Sequence, residues 1–235
     1  MNFKGTIRVP KLKKEKETTP KTMMKRIEEL EEENDRLKSL LLIDELTGLY
    51  NKRFFYLQLE VETARTRRTG QTCTLIAMDL DNFKTVNDTL GHHAGDQLIA
   101  EFAGILGQNI RPTDFACRFG GDEFFIIMPA SGIAESLSVS RRIQDSLKSP
   151  DFNPYTVQGK RISVSIGLSS YAPFDNMSVE AFFRQADENL LYAKKSGKNN
   201  IFHDIDAKMW DTAVNNAERK ALFMDIQTSD ETEEQ

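Results

Sequence analysis

The sequence predicts an α/β (α+β) domain, a mixed sheet covered by helices, preceded by one coiled-coil helix. Three observations carry this. Segments with a helical apolar period alternate with strand-like apolar runs between residues 44 and 203. Two of those runs, Phe115 to Arg118 and Glu123 to Pro129, are separated only by Phe119-Gly120-Gly121-Asp122, a hairpin connection of the kind glycine permits. Ahead of them, apolar residues recur in heptads between Met23 and Leu41.

Taken in order, residues 1–20 are polar and rich in Lys, Thr and Pro, and read as a flexible basic leader. Residues 21–43 are strongly helix-forming. With Ile27 at heptad position a, Met23, Leu30 and Leu37 fall at d, and Asn34 and Leu41 at a. In a parallel pair, Arg26 would face Glu31 of the partner and Glu33 would face Lys38. A lone Asn at an a position fixes register and strand number. A single solvated helix with internal i,i+4 pairs is the alternative.

The domain proper spans residues 44–203. A helix is expected from Lys52 to Arg68, ended by Thr69-Gly70, then a buried strand from Thr72 to Leu80 that stops among acids, Asp79 and Asp81. A helix from Ala94 to Ile110 closes at Arg111-Pro112. After the hairpin come a helix from Ile133 to Lys148, a strand from Arg161 to Leu168, and a helix from Ser178 to Lys195 ended by Ser196-Gly197. Residues 204–235 read as an amphipathic helix, including Trp210, followed by an acidic disordered tail.

Composition narrows the class. The chain has 235 residues, 39% of them hydrophobic, enough for one sizeable core. A net charge of −5 argues against a nucleic-acid partner. Cys73 and Cys117, the two cysteines, lie among apolar residues and form no CxxC pair, so buried reduced thiols are expected. No apolar run reaches the roughly 20 residues a membrane helix needs. No apolar stretch follows the basic start, so no secretory signal is expected. Together these predict a soluble, cytoplasmic protein.

The chemistry gathers in two acidic clusters. Asp79 ends a strand, while Asp122 and Glu123 sit in the Gly-Gly hairpin. Were those strands neighbours, the carboxylates would converge at one end of the sheet, where mutual repulsion favours a hard divalent cation. Mg²⁺ takes few protein oxygens and fills its shell with water and phosphates, which suits phosphoryl or nucleotidyl transfer. Gly120 and Gly121 would let a nucleotide lie against the backbone. Lys84, Lys194 and Lys198 are placed to meet phosphates.

The string Arg118-Phe-Gly-Gly-Asp-Glu-Phe124 resembles the GGDEF family of diguanylate cyclases. Four further motifs stand in that family's order: Asp44-Glu-Leu-Thr-Gly-Leu-Tyr-Asn51, Asp79-Leu-Asp-Asn-Phe-Lys-Thr-Val-Asn-Asp88, Gly91-His-His-Ala-Gly-Asp96, and Ala186-Asp187 with Ala193-Lys-Lys-Ser-Gly-Lys-Asn199. The resemblance implies a palm-like nucleotidyl-cyclase fold and condensation of two GTP into cyclic di-GMP. It implies that Asp79, the carbonyl of Leu80 and Asp122 hold Mg²⁺, with Mn²⁺ as an alternative. Asp122 would also be the general base for the ribose 3′-hydroxyl, Glu123 would complete the acidic turn, and Lys84 would stabilise charge on the phosphates. Asn87 and Asp96 would read the guanine edge, with Phe83, Gly120, Gly121, Lys194 and Lys198 completing the substrate site.

The same resemblance marks Arg111-Pro-Thr-Asp114 as an RxxD site at which the product inhibits, completed by Arg142 or, alternatively, Arg141. Two nucleotides in one product imply two domains facing each other, so the coiled coil would serve a homodimer. Two positions depart from the family pattern: Lys198 stands where Arg is usual, keeping charge without the bidentate fork, and Leu191 stands where Tyr is common, a packing change. His92 and His93 fit a structural turn better than a metal site. A non-enzymatic cyclic di-GMP receptor would carry a corrupted acid cluster, whereas Asp79 and the Gly-Gly-Asp-Glu turn are intact. A cyclase of broader nucleotide choice is the other alternative.

Overall fold

The structure is a computed structural model that describes residues 20, 23–30 and 41–203. The chain divides into two units, residues 1–41 and 42–235. In the first, residues 23–30 form a helix, α1, on which Met23, Ile27 and Leu30 are each about half exposed. Arg26 pairs with Glu29 on its own helix at 3.1 Å. Asn34 and Leu37, and the partners Glu31, Glu33 and Lys38 of the predicted inter-helix pairs, lie outside the described residues, as do nearly all of the leader and the whole of 204–235 with Trp210.

The second unit is a six-stranded mixed sheet with helices on both faces. Its order along the chain is β1 (Tyr50–Asn51), α2 (Lys52–Thr69), β2 (Cys73–Asp81), α3 (Phe83–Leu90), α4 (His92–Asn109), β3 (Phe115–Gly120), β4 (Glu123–Met128), α5 (Ile133–Ser146), a 3₁₀ turn (Pro150–Tyr155), β5 (Ser163–Tyr171), α6 (Val179–Lys195) and β6 (Ile201–His203). The strand order is β1-β3-β4-β2-β5-β6. β2 runs antiparallel to both neighbours, β4 and β5, and the short outer strands β1 and β6 add in parallel.

Alternation along β2 assigns the layers, since successive side chains point to opposite faces. Ile76, Met78 and Leu80 join one core with Val86 of α3, Leu98 and Phe102 of α4 and Ile143 of α5. Cys73, Leu75 and Ala77 join the other, with Phe55 and Leu59 of α2 and Phe182 and Leu190 of α6. All nine residues of β2 are buried. Asp79 and Asp81 continue the odd-numbered series, so they belong to the α2/α6 side.

The helix ends follow local chemistry. Asn51 caps α2 by accepting from the Phe54 N–H at 3.1 Å, and Gly70, at φ 76°, ends it. Ser178 caps α6 through the Ala181 N–H. Several features differ from the sequence reading. Residues 83–90 form a separate short helix, held by Val86 and Phe83 although its other positions are mostly polar. The next helix starts at His92, and β5 extends to Tyr171. The two-residue β1 and three-residue β6 were not expected, because runs so short carry no readable period. Leu191 is 41% exposed on α6, so the departure there alters surface and not packing.

Candidate active site

The C-terminal end of β2 meets the β3–β4 turn. Asp79 stands opposite Glu123 in the β2–β4 register, and the Leu80 N–H donates to the Asp122 carbonyl at 3.3 Å. The strands expected to be neighbours are therefore paired, and Asp79, Asp122 and Glu123 stand at one end of the sheet. The turn departs from regular pairing between Arg118 and Gly120, and Gly121 adopts φ 51°, a left-handed conformation that glycine accepts without strain. Asp122 is half-buried, and Gly120, Gly121 and Glu123 are exposed.

Arg118 braces this turn. Its Nε and Nη2 donate to the Gly121 carbonyl at 3.1 and 3.0 Å, and its Nη1 donates to Asp44 at 3.2 Å. Partial burial works to raise the Asp44 pKa, but Thr47 and Arg118 outweigh it and hold the carboxyl below its ordinary range. Neither residue was singled out for this in the sequence, though both lie in the motifs.

Asp79 is only 8% exposed. Lys194, from the last turn of α6, reaches it with an Nζ–Oδ2 distance of 2.7 Å. Burial pushes the Asp79 carboxyl up to about 6, with Lys194 opposing and the neighbouring Asp122 and Asp81 adding to the rise. The position is one where a positive charge is already wanted. Among the described residues no three His, Cys, Asp or Glu side chains gather as a metal cluster. Two carboxylates and a backbone carbonyl are a donor set that fits Mg²⁺, which keeps water and substrate oxygens. His92 and His93 are exposed in the first turn of α4.

Asp81 has a different task from Asp79, one with no signature among its neighbours in the chain. Its buried carboxylate accepts from the Ser163 and Ser165 hydroxyls, both at 2.7 Å, and from the Asn199 N–H at 2.9 Å. It thus pins the segment after α6, where Lys198 and Asn199 both take left-handed conformations, φ 64° and 47°. Lys198 Nζ donates to Asn82 Oδ1 at 2.9 Å, so this lysine sits beside the end of β2.

The base-reading candidates lie on the two helices that follow. Asn87 of α3 presents an Oδ1 that is buried with no hydrogen-bond partner among the described residues. Gly95 of α4 packs against it: a Cβ there would overlap Asn87 Oδ1 and lie 3.2 Å from Phe83 Cζ. Phe83 and Asn87 thereby lie against Gly95, and Asp96 is the next residue of α4. Asp96 is exposed, and so is Lys84 in the first turn of α3.

Arg111 and Asp114 follow α4. The Arg111 N–H donates to Asp114 Oδ2 at 2.9 Å, and the guanidinium is not the group that pairs there. Asp114 Oδ1 is buried and unpartnered among the described residues. Burial raises the Asp114 pKa, with the Arg111 amide and charge opposing. Arg142 Nη2 donates to the Asn109 carbonyl at 2.7 Å, which places this arginine against the end of α4. Arg141 is exposed and has no such contact described. Cys73 and Cys117 are fully buried free thiols, each pushed up to about 12 chiefly by burial.

Known proteins are similar to this chain in sequence and fold. The family described as "Diguanylate cyclase, GGDEF domain" matches residues 41–200. The response regulator PleD of Caulobacter vibrioides is 37% identical over 171 residues, covering 71% of this chain and 37% of PleD. The diguanylate cyclase DgcS of Shewanella oneidensis is 36% identical over 158 residues, covering 67% of this chain and 51% of DgcS. The chain therefore spans only about a third to a half of these relatives. The crystal structure of the coiled coil and GGDEF domain of DgcB from Caulobacter crescentus, in complex with c-di-GMP, superposes with a TM-score of 0.64 at 28% identity, covering 77% of this chain and 95% of that one. With the intact acidic turn in register beside Asp79, the chain belongs to the GGDEF family of diguanylate cyclase domains.

Proposed function

We propose that this protein condenses two GTP molecules into cyclic di-GMP with release of two pyrophosphates. The observation that carries the reading is the register of Asp79 against Glu123, which brings β2 and an uncorrupted Gly-Gly-Asp-Glu turn together. Asp79, the Leu80 carbonyl and Asp122 are the residues that would hold Mg²⁺, or Mn²⁺ in its place. When bound, the ion supplies positive charge to the reacting phosphates.

The chain's own residues do the rest. Asn87 offers an unpaired acceptor, and Asp96 a carboxylate, to the N1–H and exocyclic amine of guanine, donors that adenine does not present in that pattern. Lys84, Lys194 and Lys198 neutralise the triphosphate. Gly120 and Gly121 leave the turn bare so the nucleotide can lie on the backbone. Asp122 accepts the proton of the 3′-hydroxyl as that oxygen attacks the α-phosphate of the other nucleotide, and pyrophosphate leaves in line.

Each domain holds one nucleotide, so two domains face each other about a two-fold axis, and the α1 helix region would tether the pair as a coiled coil. Bound product at Arg111, Asp114 and Arg142 would hold the domains apart. The deciding experiment is incubation of the purified protein with GTP and Mg²⁺ and chromatographic identification of the product. Asp122→Ala should remain folded and lose turnover by several orders of magnitude. Near-parental conversion by the folded variant would remove Asp122 from the mechanism.

A further inference from the structure

Lys194 is ion-paired with Asp79. Its ammonium lies 2.7 Å from Asp79 Oδ2, with the lysine about one-third exposed and the aspartate nearly buried. The approach is built into the fold. Gly167 of β5 has no side chain where α6 crosses, and a Cβ there would overlap the backbone of Ala186 and Leu190. That contact seats α6 against β5, and β5 is in register with β2 through Ser165 opposite Asp79. The Asp81 oxygens are already taken by Ser163, Ser165 and Asn199, so Lys194 is the positive charge on Asp79 itself.

An ammonium and a divalent ion cannot both be served by this carboxylate at short range. They compete for the same lone pairs and repel each other. We infer that Lys194 is the resident cation of the nucleotide-free site, displaced from Asp79 by the entering divalent ion and thereby released to the triphosphate that arrives with it. This rests on the assignment of Asp79 to the metal site.

The exchange couples the two ligands. An ion entering alone must expel an ammonium that then has no new partner, so it binds weakly. An ion entering with a triphosphate gives the ammonium a phosphate in exchange for the carboxylate. Metal and triphosphate therefore raise each other's affinity through one side chain, and by linkage the factor is the same in both directions.

The test is Mn²⁺ binding to the 235-residue chain without nucleotide, followed by the electron paramagnetic resonance of the free ion. Lys194→Met should bind Mn²⁺ about tenfold more tightly than the parent. The gain in Mn²⁺ affinity that a non-reactive GTP analogue gives the parent should shrink by a similar factor. Lys194→Gln gives the same reading should the methionine variant fold poorly, and Lys194→Arg, which keeps a cation on Asp79, should resemble the parent. Parental or weaker Mn²⁺ affinity in the neutral variants overturns the exchange. Asp79→Asn separates the two layers: if it retains Mn²⁺ binding, the metal-site assignment itself falls, whereas its loss beside unchanged Lys194 variants removes only the exchange.

Discussion

Arg118 and Asp44 form a 3.2 Å ion pair between residues 74 apart in the chain, and the same guanidinium holds the Gly121 carbonyl. The entrance of the domain and the acidic turn are thus fastened by one side chain. The two groups are 16% and 25% exposed, partly shielded from solvent. Asp44→Asn should lower stability by about 1–2 kcal/mol near neutral pH. Because the folded carboxyl titrates below its unfolded value of 3.8, the contribution is complete above that value and disappears as pH falls through the folded one. Urea unfolding of parent and variant at neutral pH and near pH 3 checks this. An equal deficit at both would assign the effect to packing.

Gly95 is the sharpest steric probe of guanine recognition. Gly95→Ala would drive a methyl into Asn87 Oδ1 and bring it to 3.0 Å from Asn87 Cγ. KM for GTP should rise more than tenfold with a smaller loss in kcat, since the damage falls on binding. On the same helix, Gly104→Ala and Gly107→Ala meet nothing within 4 Å and should be neutral or stabilising by about 0.5–1 kcal/mol. Steady-state kinetics and thermal melts of the three variants make the comparison.

Gly167→Ala should destabilise the domain by about 3 kcal/mol, because the methyl meets backbone atoms of α6 that cannot turn aside. The helix would be pushed from the sheet, carrying Lys194 away from Asp79. Denaturant unfolding measures the first effect. A variant as stable as the parent would mean that α6 is not seated as described.

Arg111→Ala should leave initial rates near the parental value and abolish inhibition by added cyclic di-GMP. Its backbone amide would still hold Asp114, so the local fold should persist. Arg142→Ala should relieve inhibition too, whereas Arg141→Ala should not. Progress curves with added product decide the matter, and full inhibition of Arg111→Ala would place the regulatory site elsewhere.

Deleting residues 1–40 should yield a folded domain whose specific activity rises with protein concentration, because the half-sites must then meet by diffusion. Sedimentation and activity measured over the same concentration range test it. A monomer with concentration-independent turnover would end the two-domain argument.

The acidic turn could be read from the sequence because its parts are local: two apolar runs, two glycines between them, and an Asp closing the neighbouring strand. The acids Asp79 and Asp81 at the end of that strand could be read as well. Their tasks could not be assigned, since the partners that separate them are remote in the chain: Ser163, Ser165 and Asn199 for Asp81, Lys194 for Asp79. The same holds for Arg118 and Asp44. Helix α3 escaped because Val86 is its only buried residue. Strands β1 and β6 are defined by pairing with β3 and β5 and not by their own residues.

The two buried thiols make the domain its own unfolding reporter. Cys73 lies on the central strand and Cys117 on its second neighbour, both fully buried and with little thiolate at neutral pH. An aqueous thiol reagent cannot reach either while the sheet is closed. Labelling therefore requires the strands to part, and its rate at low reagent follows how often they do. Nucleotide, metal or product that tightens the domain would slow that chemistry in proportion, so ligand binding becomes readable on the native protein with no introduced cysteine and no turnover.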